Sequence, residues 1–215
     1  MTATTVSGPR LAVAAALVAA VLCGTLTACG SDNSGDTGSD SGHQSGSGSP
    51  ADSSTVLSKE QVQNVLPDPG AMGGLDAVSA RVITADGHLD CPSAQECPGK
   101  WFGHAKYALS EGAYVNFDLI TYTSVQSAKE GMKREVGDNP PLSKPTFGNE
   151  SRAYTKSGGG LRGEYITMRV GTVVATTFVE GGRSEPMLTQ GTTMFAERIA
   201  QVEAGHKATA TLPKE

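Results

Sequence analysis

The chain is poor in aromatic side chains: of 215 residues only 5% are Phe, Trp or Tyr, and Trp occurs once. A broad stacking platform for bases or sugars is not expected from such a composition. A basic excess is missing too. The 17 Lys and Arg are outnumbered by 22 Asp and Glu, giving a formal net charge of −5, without the cationic face that nucleic-acid binding needs. No G-x-S-x-G or H-E-x-x-H occurs, and no Lys-Ser/Thr follows Gly158-Gly159-Gly160. A nucleophile elbow, a zinc-protease helix and a phosphate-binding loop are therefore absent as motifs. The apolar run at the N-terminus falls short of the ~20 residues that cross a bilayer as a helix. Cysteine is confined to Cys23, Cys29, Cys91 and Cys97.

What is present starts at the N-terminus. Before Cys29 there is no Asp or Glu and one positive charge, Arg10, followed by the apolar stretch Leu11 to Leu22. A positive start, a short apolar core and small residues before a cleavage point describe a secretory signal peptide, residues 1–28. Leu26-Thr27-Ala28-Cys29 resembles a bacterial lipobox: an aliphatic residue, two small ones, then cysteine. The resemblance implies diacylglyceryl transfer to the Cys29 thiol, cleavage before Cys29 and further acylation with palmitate-type chains. Cys23 follows the bulky Leu22 and leaves with the signal peptide. At ~0.8 kcal/mol per buried CH₂, such chains would hold the protein firmly on a lipid membrane, facing outside the cytoplasm.

Residues 29–56 read as the lipidated cysteine and a tether. Between Gly30 and Thr55, 15 of 26 residues are Gly or Ser, four are Asp, and none is Lys or Arg. Such a segment has nothing with which to bury a core and is expected to be disordered. As a Gly/Ser coil it spans roughly 28 Å on average, which lifts a domain off a bilayer. Ser31-Asp32-Asn33 matches a β-lactamase tripeptide, but it lies in this coil and no S-x-x-K accompanies it.

The folded part is expected over 57–205, with 206–215 as a short polar tail. Ser58 and Gln61 form a capping-box pair flanked by Leu57 and Val62, and Pro67 stops that first helix. Val78 to Thr84 alternates as a strand, and Ala85 to Gly103 reads as irregular. Ala105–Leu109 and Ala113–Tyr122 form a hairpin through Ser110-Glu111-Gly112, with Val115, Phe117 and Leu119 inward and Asn116 and Asp118 outward. A second helix is expected from Thr123, boxed with Gln126, with Val125, Ala128, Met132 and Val136 on one face; Asn139-Pro140-Pro141 ends it. Strands at Ser151–Lys156, Arg162–Val170 and Val173–Val179 follow. The last helix starts after Ser184 with Pro186 in its first turn, and carries the stripe Leu188, Gly191, Phe195, Ile199, Val202. This order predicts an α+β domain: a mainly antiparallel sheet of five to six strands, three helices, and the C-terminal helix packed across the sheet.

Gly148-Asn149-Glu150-Ser151, then Met168-Arg169-Val170-Gly171-Thr172-Val173-Val174, then the closing amphipathic helix, resemble small actinobacterial lipoproteins of unassigned function. More distantly they are similar to the extracellular sensor domains of mycobacterial receptor kinases and to the α/β sandwiches of photosystem accessory proteins. The resemblance implies a sensor-like or binding module and assigns no catalytic residue.

The candidate chemistry is sparse. Outside the cytoplasm, Cys91 and Cys97 are placed to form a disulfide, which would pin an irregular loop. The competing arrangement joins them to His88 and His104 as zinc or copper ligands, at a spacing that fits no standard finger. Asp118 and Glu164 are the only carboxylates that suggest an acid–base pair, and on alternating strands outward carboxylates are ordinarily solvated. No triad-like spacing surrounds His88, His104 or His206, and His43 lies in the tether. The reading is therefore a membrane-anchored binding or sensor-like lipoprotein without cofactor, whose partner is an envelope protein or small ligand. The alternatives are an extracytoplasmic enzyme with a dispersed site and a metal-binding lipoprotein.

Overall fold

The computed structural model describes residues 52–87, 99–158, 161–181 and 184–213. Cys29, the tether before Asp52, His88, Cys91, Cys97, Gly159 and Gly160 lie outside the described residues.

Helix α1 (Lys59–Val65) begins as its sequence dictates. The Ser58 Oγ accepts from the Gln61 amide at 3.3 Å, and the Gln61 Oε1 accepts from the Ser58 amide at 2.8 Å. Leu57 and Val62 on either side are buried. Strand β1 (Ala77–Thr84) runs to a 3₁₀ turn at Ala85–Gly87; β2 (Gly99–Ser110) and β3 (Ala113–Tyr122) form the expected hairpin. Helix α2 (Val125–Val136) follows, then β4 (Pro141–Leu142), β5 (Glu150–Gly158), β6 (Leu161–Val170), β7 (Val173–Glu180) and helix α3 (Glu185–Glu203). The strands make one sheet in the order β1-β2-β3-β7-β6-β5-β4, every pair antiparallel.

The sheet has seven strands, not five to six. The extra one is β4, two residues long, which pairs Pro141 with Tyr154 and Leu142 with Ala153. Its proline lacks an N–H, so it is tolerated only on an edge, and two residues carry no alternation that a sequence reading can detect. Strand β2 also begins earlier than expected, at Gly99, because Trp101 and Phe102 continue the pairing with β1 and β3. The cap of α2 is Ser124 rather than Thr123: its Oγ accepts from the Ser127 amide at 3.1 Å, while Gln126 turns to Glu130 instead.

Successive strand residues point to opposite faces, and the two faces differ. On the first lie Ala105 and Tyr107 of β2, Val115, Phe117 and Leu119 of β3, Ile166, Met168 and Val170 of β6, and Val173, Ala175 and Val179 of β7, all buried. Helices α1 and α3 cover this face with the expected stripe of Leu188, Phe195, Ile199 and Val202. Gly191 lets α3 approach closely, since a Cβ there would sit 3.2 Å from the Phe117 ring.

Arg198 of α3 is 3% exposed in this apolar layer and has no carboxylate partner among the described residues. It donates instead to carbonyls: Nε to Val65 at 2.8 Å, one terminal nitrogen to Asn64 and Leu66 at 3.0 and 3.1 Å, and the other to Ala210 at 2.9 Å. These include carbonyls at the C-terminal end of α1, which no further helical turn satisfies and where a cation is favoured. Burial pushes the Arg198 pKa down, and the nearby Asp68 opposes that.

Of the polar tail expected at 206–215, the structure describes residues 206–213. They fold back instead: the Leu212 amide donates to the Ala71 carbonyl at 2.8 Å, and Ala208 and Leu212 are buried. Three apolar residues, Ala208, Ala210 and Leu212, among ten positions leave a polar composition, yet all three pack against the apolar core.

Candidate functional site

The second face of the sheet is covered only in part. Helix α2 packs Ala128 and Met132 on Tyr122 and Val174, with Ile120 and Val136 beside them. Gly131 is required there, since a Cβ would overlap the Tyr122 ring. Away from this cluster the face is lined by residues in cross-strand rows.

One row runs from β5 to β1: Tyr154, Tyr165, Phe178, Asn116, Lys106, Ser79. Its three rings stack, with centroids 5.5 and 4.9 Å apart and planes within 12° and 16°. Tyr154 is buried, whereas Tyr165 and Phe178 are half-buried. Burial, helped by the charges of Glu180, Glu135 and Asp118, raises the Tyr165 pKa, so its hydroxyl remains protonated. Asn116 was expected to be solvated but is 1% exposed, because the bulky Phe178 and Lys106 flank it in the row. Its Nδ2 has no hydrogen-bond partner among the described residues. Lys106 bridges to Glu180 at 2.6 Å and lies 4.2 Å from the Tyr114 ring centroid.

The next row places Thr176, Asp118, His104 and Arg81 side by side. His104 Nδ1 is 2.6 Å from Asp118 Oδ1, and His104 Nε2 is 3.1 Å from Ser79 Oγ. An ionised carboxylate only accepts, so Nδ1 carries the proton; in the neutral ring Nε2 then accepts from the Ser79 hydroxyl. Phe102 stacks on the imidazole at 6.4 Å. Ser79 reaches this face because the β1–β2 register shifts between Ala77 and Ser79. Ala77 pairs with Tyr107 and Ser79 with Lys106, which leaves Val78 as the extra residue of a bulge. Val78, at 52%, is the exposed large hydrophobic residue of the described chain.

A second polar cluster lies where β6 turns into β7. Arg169, 3% exposed, donates to Glu150 at 2.5 Å, to Asp52 at 2.5 Å and to the Gly171 carbonyl at 2.9 Å. Burial works against its charge, but the bonds to Glu150 and Asp52 outweigh it and raise its pKa. Thr172 Oγ1 donates to the Thr55 carbonyl, so residues 52–55 are fastened to this turn. Beside it, burial pushes the Glu203 carboxyl up to about 7, although the Thr172 amide and Arg169 pull the other way. Gly171 has φ +52, and a Cβ there would overlap the Glu203 carboxylate.

The expected site residues are thus distributed as follows. Asp118 and Glu164 do not meet: they stand on opposite faces, Asp118 bonded to His104 and Glu164 3.9 Å from Lys144 on the α3 side. His104 is committed to Asp118 and Ser79. Among the described residues, no three His, Cys, Asp or Glu side chains gather as they would for a metal ion. His206 is exposed at the end of α3. The Ser79–His104–Asp118 trio has no motif in the sequence. The one usable signal was the hairpin about Glu111, which sets position 104 opposite 118; the bulge that brings in Ser79 leaves none.

The assembly belongs to the α+β class, a seven-stranded antiparallel sheet with helices on both faces. Among solved structures, the chain is similar to the extracellular domain of PknH from Mycobacterium tuberculosis. The match has 10% sequence identity and a TM-score of 0.46, and covers 71% of this chain and 99% of that chain. No protein-family model matches the sequence, and no curated protein matches it. No helix among the described residues is long and apolar enough to cross a membrane.

Proposed function

We propose that this chain is an exported lipoprotein, anchored through acylated Cys29, whose domain binds a ligand on the half-covered face of its sheet. One observation carries the binding assignment: α2 packs at one end of this face and leaves Tyr165, Phe178 and Lys106 partly exposed along one row, with Asn116 buried between the last two. Stacked rings whose edges reach the surface, ending at the Lys106–Glu180 pair, fit a small ligand with a flat apolar part and a polar group, or a peptide side chain of that kind. The lipobox supports the anchor, and the acidic Gly/Ser segment supports a spacer. In this reading Cys91 and Cys97 are joined as a disulfide and no cofactor takes part.

Titration of the isotopically labelled chain with benzoate and phenol, followed by NMR, tests the binding face. Shifts centred on Asn116, Phe178 and Lys106 that vanish in Phe178→Ala are expected. Saturable shifts centred elsewhere overturn the assignment. Intact-mass analysis tests the anchor separately, since an unmodified Cys29 in the mature chain contradicts it.

A further inference from the structure

The geometry points to an acyl-transfer centre at the β1–β2–β3 end of this face, with Ser79 as nucleophile, His104 as general base and Asp118 as the residue that positions the imidazole. The two hydrogen bonds run through the correct atoms. Asp118 holds Nδ1–H at 2.6 Å, which leaves the Nε2 lone pair facing the Ser79 hydroxyl at 3.1 Å. That is the order of contacts a serine nucleophile requires, irrespective of fold or position in the chain. A cross-strand trio could arise from regular pairing alone, but this one does not. In an unbroken β1 Ser79 would share the face of Ala77, with α1 and α3. The bulge at Val78 turns it to the second face, and bulges commonly re-aim a side chain beside an active site.

The surroundings suit the chemistry. Ser79 is exposed on the edge strand, so a substrate can reach its oxygen. The imidazole is held on one side by Phe102 and is only partly exposed, which fixes its plane. Arg81 is exposed in the same row as His104 and forms no ion pair among the described residues. Among the described residues of this end of the face it is a cation available to an oxyanion, whereas Lys106 is held by Glu180.

The substrate class is a carboxylic ester with a small acyl group, as an uncovered sheet face has no tunnel for a long chain. Ser79 Oγ bonds to the acyl carbon while its proton passes to His104 Nε2, and the carbonyl electron pair moves onto oxygen beside Arg81. The tetrahedral adduct collapses, the C–O bond to the alcohol breaks, and that oxygen takes the proton from Nε2. Water then attacks the acyl-serine, giving one proton to Nε2, and the acid departs as Ser79 recovers it.

The test uses the full-length chain in detergent micelles, treated with a fluorophosphonate probe and with p-nitrophenyl acetate. Mass mapping should find one phosphonyl group, on Ser79. Ser79→Ala should remove it, and His104→Gln should slow its formation by about 100-fold. Asp118→Asn preserves shape and strand pairing; it should slow labelling about tenfold and displace its pH profile, which a merely structural carboxylate would not do. Arg81→Gln should lower ester turnover with no change in melting temperature. Ser79 left unlabelled in a folded chain, or labelled equally fast in His104→Gln, overturns the inference. Benzoate binding at Phe178 is a separate readout, so failure of either proposal is visible without the other.

Discussion

The two faces of the sheet were built from the same alternation but to different ends. The face under α1 and α3 is closed: Val115, Phe117, Leu119, Ile166 and Met168 meet Leu188, Phe195 and Ile199, all at 1% exposure or less. The face under α2 carries Asn116, Asp118, His104, Lys106, Thr167 and Thr176, of which three are buried and three are not, with an apolar cluster only at one end. The closed face therefore carries stability, whereas polar groups that pair with one another across strands contribute little net energy. A chain whose sheet served only to fold would have little use for so many paired polar groups on its second side.

The comparison breaks most sharply at matched aromatic positions. Phe117→Ala, on the closed face, should cost about 4 kcal/mol in urea unfolding, because the ring meets Tyr107 and Phe195 edge-on and would leave a cavity. Phe178→Ala, on the open face, should cost about 1 kcal/mol or a little more, since solvent already reaches the ring. Equal losses would mean that the second face is also a core. Next in size is Arg198→Met, expected to cost about 3 kcal/mol, as it leaves the carbonyls of Asn64, Val65, Leu66 and Ala210 buried without donors. Chemical denaturation of this variant, compared with Lys106→Met, sharpens the contrast between a buried cation and a half-exposed one.

A pH series probes the join between the faces. The folded Glu203 carboxyl is raised to about 7 from an ordinary value near 4.5. The folded state therefore binds the extra proton, and stability from this group is full below the unfolded pKa and lost as pH rises through about 7. Between pH 5 and pH 8 the wild type should lose about 1–2 kcal/mol that Glu203→Gln retains, read as the difference between their unfolding free energies. The smallest effect belongs to the tether. Deleting residues 35–50 should leave the melting temperature unchanged, whereas Asp52→Ala should lower it by the equivalent of about 1 kcal/mol or less, because one partner of that ion pair is half exposed.

Much of the fold was legible because long elements repeat their period. The capping box at Ser58 and Gln61, the faces of β3, β6 and β7, and the stripe of α3 stand where the alternation placed them. What escaped the sequence reading has a common cause. Strand β4 is shorter than one period, the bulge at Val78 changes phase without a marker such as glycine, and Leu212 is one apolar residue in a polar stretch. The trio of Ser79, His104 and Asp118 depends on the register of three strands at once, and register is decided by the whole sheet rather than by any window along the chain. The Asp118–Glu164 pair failed for the converse reason: both carboxylates were read as outward, but on this sheet each faces a different side.

The ends of the sheet have one more consequence. Strand edges are templates on which other chains can assemble, and a sheet of this width has two. At one, β4 pairs with only Ala153 and Tyr154 of β5, and its Pro141 has no N–H to offer. The other is interrupted by the bulge at Val78, and the charged Arg81 follows on the same face two positions after Ser79. Both edges thus carry features that disfavour pairing with another strand, and the bulge that turns Ser79 to the second face is one of them.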